Sequence, residues 1–222
     1  MMTMNKKTVL ALSLLTAMTA AGTALAAPPP QPKDGSWGPG AGNTNFDNMM
    51  QSGFQSKGIA TVDRLKQDST QELCSNPITA HSDKNAALRE KLQAENAASI
   101  KYPADGKMMG DWKNGEKIAQ SGKGLTWSDK AGAPNGGNCY NCHQITKQEL
   151  SYGTIGPSLY NYGKVRGNSD ETVKYTWAKI YNAKATNLCS LMPRAGAMGI
   201  LTEDQIRDLV ALLLDPESPV NQ

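Results

Sequence analysis

Residues 139–143 read Cys-Tyr-Asn-Cys-His, and this C-x-x-C-H run governs how the rest of the chain is understood. It is the attachment sequence for c-type haem. Two thiols separated by two residues within one helical turn can reach the two vinyl groups on one edge of a porphyrin. The adjacent imidazole then points at the iron. The same residues allow other chemistry: a small disulfide, a thioredoxin-like redox pair, or half of a zinc site. A zinc site needs four ligands. The only other histidine is His81, and Cys74 and Cys189 form no second close pair. A thioredoxin-like pair sits between a strand and a helix, and no such pattern surrounds residues 139–143. One covalently bound haem c is therefore the expected cofactor, attached through Cys139 and Cys142, with His143 ligating the iron.

The rest of a haem pocket can be sought outward from this run. A ligating histidine usually gives its other ring N–H to a carbonyl, which fixes the ring and raises its basicity. In Gly156-Pro157, proline has a free carbonyl and no N–H to compete. The Pro157 carbonyl is the expected acceptor from His143 Nδ1, although Gly156-Pro157 also reads as a plain turn. The second axial ligand must come from further along. Met192 stands out in Cys189-Ser190-Leu191-Met192-Pro193-Arg194, 49 residues after the histidine. Pro193 keeps it out of the helical region, so an extended loop can carry its thioether across the open face. Met198 lies in Gly-rich sequence, Met108 and Met109 precede the attachment run, and His81 falls in a helical N-terminal region.

Helical periodicity dominates the remainder. Helices are expected over 114–121, over 171–183 with Val173, Trp177, Ile180 and Tyr181 at helical spacing, and over 203–214. Thr202 with Gln205 reads as a capping box for the last, Ile206, Leu209, Val210 and Leu213 form its apolar face, and Asp215-Pro216 ends it. Alternation with period two is weak throughout. The expected fold class is all-α: a haem domain over 100–222 preceded by a helical extension.

At the other end, Lys6 and Lys7, an apolar run over 9–20 and the small residues Ala24-Leu25-Ala26 read as a signal peptide over 1–26, cleaved after Ala26. The competing reading is an uncleaved anchor, since the run is nearly long enough to span a bilayer. No other segment is apolar enough to cross one, so no membrane span is expected after cleavage, and the periplasm is the expected compartment. Cleavage leaves 21 basic and 20 acidic residues, a net charge of +1 with no basic run. That argues against nucleic acid, which needs a concentrated basic surface.

The order helix, C-x-x-C-H, Gly-Pro, Met loop, terminal helix resembles class I cytochromes c. More narrowly, the strings GNCYNCHQI, YGTIGPSLYNYGKVRG, YTWAKIYNAKA, CSLMPRAGAMGILTEDQIRDLVALLLDPESPVNQ and IKYPADGKMMGDWKNGEKIAQ resemble the SoxX family, the monohaem subunits of SoxAX cytochromes in bacterial sulfur oxidation. They cover most of residues 100–222. The resemblance implies a non-catalytic electron-transfer subunit of an L-cysteine S-thiosulfotransferase-type complex, which joins thiosulfate to a cysteine of a SoxYZ-type carrier. It implies a SoxA-type partner subunit bearing the reacting cysteine, and a downstream acceptor cytochrome. Carried over, Cys139 and Cys142 attach haem, and His143 and Met192 ligate it. Other readings are a free, diffusible cytochrome c shuttle, a ligand-binding haem sensor and a metal-free structural protein.

No family role carries over to residues 27–99. Residues 27–45 are rich in Pro, Gly and Asn and are expected to be mobile. Two helices are expected after them, over 56–73 and 83–99, the second with Leu88 and Leu92 on one face. A covering layer on the haem domain is favoured over a docking arm. Cys74 and Cys189 remain, and in an oxidising compartment two leftover cysteines most often pair. The competing reading is a free, reactive Cys189, which would need a lowered thiol pKa.

Overall fold

The computed structural model describes residues 44–222. The expected signal peptide (1–26), and residues 27–43 of the Pro/Gly-rich stretch, lie outside the described residues. The described chain is all α. Its helices are α1 (Thr44–Gly53), α2 (Ser69–Ser75), α3 (Pro77–Ala80), α4 (Ala86–Ala98), α5 (Trp112–Gln120), α6 (Tyr162–Arg166), α7 (Asp170–Tyr181) and α8 (Glu203–Leu214). The one β pairing among the described residues is an isolated bridge between Lys57 and Ala60.

Helix α8 has the limits expected of it. The Thr202 hydroxyl accepts from the Gln205 backbone N–H, and the Gln205 side chain accepts from the Thr202 N–H, so two orphan donors of the first turn are satisfied together. Asp215 leaves the helical region ahead of Pro216. Ile206, Leu209, Val210 and Leu213 are buried as expected, and so are Ala211, Leu212 and Leu214. The second half of α8 is thus enclosed nearly all round. Helix α7 starts at the Ser169 cap with Asp170 and Glu171 in its first turn, which complements the helix dipole, and it buries Val173, Thr176, Trp177 and Ile180. The Trp177 indole N–H donates to the Lys101 carbonyl, which ties the segment before α5 onto α7.

Helices α5 and α8 cross with their backbones almost in contact. A Cβ on Gly115 would lie 2.1 Å from the Asp208 carbonyl oxygen and 2.9 Å from Leu212 Cβ. The crossing is locked at the start of α5. Gly110 N–H donates to the Arg207 carbonyl, Asp111 N–H donates to Asp208 Oδ1, and Arg207 forks onto both oxygens of Asp105. Helices α5, α7 and α8 surround the main apolar core. Asn221 closes its far end. Its Oδ1 accepts from the N–H groups of Gly163 and Lys164, and its Nδ2 donates to the carbonyls of Leu213 and Asp215.

The extension departs from expectation in its first half. Residues 56–73 do not form one helix. Gly58 sits at φ 53°, in the left-handed region, between the bridged Lys57 and Ala60. A short 3-10 turn follows at Val62–Leu65, and helix restarts only after Asp68, whose side chain accepts from the Gln71 N–H in a second capping box. Local hydrogen bonds from Gly, Ser and Asp outcompete the weak periodicity there. Helix α1, beginning inside the 27–45 stretch, was not anticipated. The second expected helix is present as α4, but Leu88 is exposed and the buried positions are Leu92 and Asn96. Leu92 joins Leu73, Ala80 and Leu188 in a small separate core, with Cys74 and Cys189 packed against it. Those two cysteines form a disulfide with Cα atoms 5.3 Å apart. The reading of a free Cys189 is thereby set aside.

Candidate functional site

The attachment run is shaped by its own backbone. Asn138 adopts φ 49°, and this left-handed turn swings the chain into a 3-10 turn at Cys139–Asn141. The Cys142 and His143 N–H groups both donate to the Cys139 carbonyl. Residues 153–159 then run alongside it. Gly153 N–H donates to Tyr140 O, Gly156 N–H to Cys142 O, and Leu159 N–H to Gln144 O. That lacing brings the Pro157 carbonyl to 2.7 Å from His143 Nδ1. A carbonyl oxygen can only accept, so this bond puts the proton on Nδ1 and leaves the Nε2 lone pair free. Gly156 is required by closeness: a Cβ there would lie 2.2 Å from Cε1 of the His143 ring.

A cavity of about 850 Å³ opens beside this turn, lined by Cys139, Cys142, His143, Pro157 and Met192. Its volume lies in the upper range for small-molecule and cofactor sites, roughly 300–1,000 Å³. Its walls are largely apolar, with Ile145, Ile180, Leu209 and Leu213 among them. Cys139 and Cys142 are not bonded to one another. Desolvation pushes the Cys139 thiol up to about 11. A thioredoxin-like nucleophile needs the opposite shift. Among the described residues, no group of three or more His, Cys, Asp or Glu is placed to hold a bare metal ion.

Of the methionines weighed as axial ligand, Met192 lines the cavity, whereas Met198 is 61% exposed and Met108 and Met109 are not among the lining residues. His81 is exposed and outside it. The Met192 loop is pinned by side chains that bond its backbone: the Met192 N–H donates to Ser190 Oγ. The buried Lys184 ammonium donates to the carbonyls of Leu188 and Ser190.

Two cavity cations escaped the sequence reading. Arg166 lies between the rings of Tyr162 and Tyr175, 5.2 and 5.5 Å from their centroids. Lys179 Nζ donates to Thr186 Oγ1, and desolvation holds its pKa below the ordinary lysine value. Both line the cavity. Their only sequence signal is a pair of basic residues among tyrosines in α6 and α7.

The described residues thus define an all-α protein whose cavity gathers two free thiols, an oriented imidazole and a thioether. No protein-family model matches the chain. The chain is 40% identical over 157 residues to an uncharacterized lipoprotein of Aquifex aeolicus (strain VF5), a match covering 70% of this chain and 73% of that protein. The chain belongs to the family of that protein.

Proposed function

We propose that the chain is a periplasmic monohaem cytochrome c of class I type, serving as the electron-transfer subunit of a SoxAX-type complex. The observation that carries this reading is the convergence of Cys139, Cys142, His143 and Met192 on one apolar cavity, with the His143 ring oriented by Pro157. These residues fit a haem. The two thiols supply thioether attachment, and His143 Nε2 and the Met192 sulfur supply the axial donors. The apolar walls exclude water, and Arg166 and Lys179 offer counter-charges to acidic substituents on the porphyrin edge. The bound group supplies one-electron redox chemistry, and a thioether ligand tends to raise its potential. An electron sink should be more oxidising than its donor. The chain's own part is to hold the two donors fixed while the charge at the site changes.

The compartment follows from the same reading. A long-range disulfide belongs to an oxidising compartment, the relative bears the name lipoprotein, and residues 1–26 read as an export signal. No helix among the described residues is long and apolar enough to cross a membrane.

The test has two stages. Protein made with the c-type maturation machinery should stain for haem on a denaturing gel, and Cys139→Ala should lose most of that stain. Pull-down from native periplasm should then recover a second haem subunit, and the pair should show thiosulfate-dependent haem reduction when the carrier is present. Wild-type protein without covalent haem refutes the cytochrome. Haem protein that copurifies with no second haem subunit, and is not reduced by thiosulfate, leaves the diffusible shuttle.

A further inference from the structure

In the loop that carries Met192, the methionine rests against the main core, but its immediate neighbours contribute little packing. Leu191 and Pro193 are both exposed, Leu191 by 87%. Yet the loop is gripped on both sides of the methionine by one short helix of the extension. Three residues before Met192, Cys189 is bonded to Cys74 in the last turn of α2. Two residues after it, the Arg194 guanidinium pairs with Asp68, the cap residue of the same helix, and its side chain is only 13% exposed. Asp68 is itself fixed, because its other oxygen accepts from the Gln71 N–H at 2.9 Å.

Helix α2 is also anchored to the body. Asn96 of α4 donates to Thr70 of α2 at 3.1 Å, and Asn182 donates to Asn96 Oδ1 at 3.0 Å, both bonds buried. Asn182 in turn caps the turn that contains Lys184, whose ammonium holds the carbonyls on either side of Cys189. A closed circuit therefore runs from α2 through α4 to the base of the loop and back through the disulfide.

We infer that Asp68 and Cys74 of α2 are positioning residues for Met192, so that the extension works as a two-point clamp on the axial-ligand loop. The inference rests on the haem reading. The disulfide sets the approach of the loop, and the ion pair sets its departure. With both made, the four residues from Ser190 to Pro193 must arch over the cavity between fixed ends. With both removed, Lys184 and the Ser190 hydroxyl hold the approach, and on the departing side the first remaining ties are buried Ala195 and the Gly196 and Ala197 N–H bonds to the Tyr181 carbonyl.

The test uses full-length holoprotein and imidazole, which binds oxidised haem only by taking the place of Met192. Asp68→Asn keeps a good cap but removes the charge facing Arg194. Asp68→Glu keeps the charge with a poorer cap. Cys74→Ser with Cys189→Ser removes the bridge without leaving a thiol. The apparent imidazole affinity should rise at least threefold in Asp68→Asn, at least tenfold in the double serine variant, and stay near wild type in Asp68→Glu. Combining Asp68→Asn with both serines should abolish the weak red-edge absorption band of Met-ligated oxidised haem while covalent haem is retained. Unchanged affinity and band in Asp68→Asn and in the serine variant overturn the clamp. If the serine variant does not fold, Asp68→Asn against Asp68→Glu decides alone. Wild-type protein lacking covalent haem refutes the underlying cytochrome reading instead.

Discussion

At Gly156 the absence of a single carbon keeps an imidazole in place. The ring of His143 occupies the space a Cβ would need, and the same residue's N–H holds Cys142 O. Gly156→Ala must push the ring away from Pro157. Loss of such an outer hydrogen bond costs roughly 10–100-fold in metal affinity. On the proposed haem reading, the expected outcome is covalently attached haem with weakened His143 ligation, seen as a shift of the oxidised protein toward a high-spin absorption spectrum without any added ligand. Asp208 poses the opposite kind of problem. Burial, and repulsion from Asp111 and Asp204, raise its pKa despite the hydrogen bond from the Asp111 N–H. Its carboxylate is therefore less comfortable folded than unfolded, and that cost applies above its folded pKa. Asp208→Asn keeps an acceptor for Asp111 and should raise Tm at neutral pH. The gain should shrink as pH falls through the folded pKa and vanish below the unfolded value, about 3.9. A Tm difference that persists at pH 3 would contradict this.

At the scale of elements, the crossing of α5 and α8 is the joint on which the cavity walls are hung. Gly115→Ala gains helix propensity of about 1 kcal/mol. It also forces a methyl group into the Asp208 carbonyl, and overpacking of this kind costs typically 1–3 kcal/mol. Because the obstacle is backbone, the cost should win, and the urea midpoint should fall. The elements that could be read from sequence are those whose ends carry local chemistry. Thr202, Gln205 and Asp215-Pro216 define α8 to the residue, and α5 and α7 begin and end within about two residues of expectation. Where no such marks exist the reading failed. The 56–73 stretch breaks at Gly58 and Asp68, and α1 was lost in a segment whose Asn and Gly content masks Phe46, Met49 and Met50 at helical spacing. The same division holds for the cavity. Cys139, Cys142, His143, Pro157 and Met192 were found because each stands in a telling local string. Arg166, Lys179 and the Asp68–Arg194 pair were not, because only tertiary packing brings them to the cavity and its loop.

For the whole molecule, the disulfide is the covalent cross-link among the described residues, joining positions 115 apart in sequence. On the chain-entropy model such a bridge stabilises by roughly 4 to 5 kcal/mol, less any strain. The double serine variant should therefore unfold at a clearly lower urea concentration, and the denatured, unreduced holoprotein should show no free thiol.

On the proposed haem reading, the bridge also imposes an order on biogenesis. Cys139 and Cys142 lie inside the loop that it closes, and four cysteines can pair in three ways. If the chain is an exported cytochrome as proposed, oxidation before haem arrives would trap an attachment thiol in the wrong partnership. Once both attachment thiols are spent on a porphyrin, Cys74 and Cys189 have only each other. On this account the cofactor acts as a protecting group, and cells starved of haem should accumulate scrambled isomers that separate on a non-reducing gel. The redox centre would then be chaperoning the covalent architecture that later holds its own ligand loop.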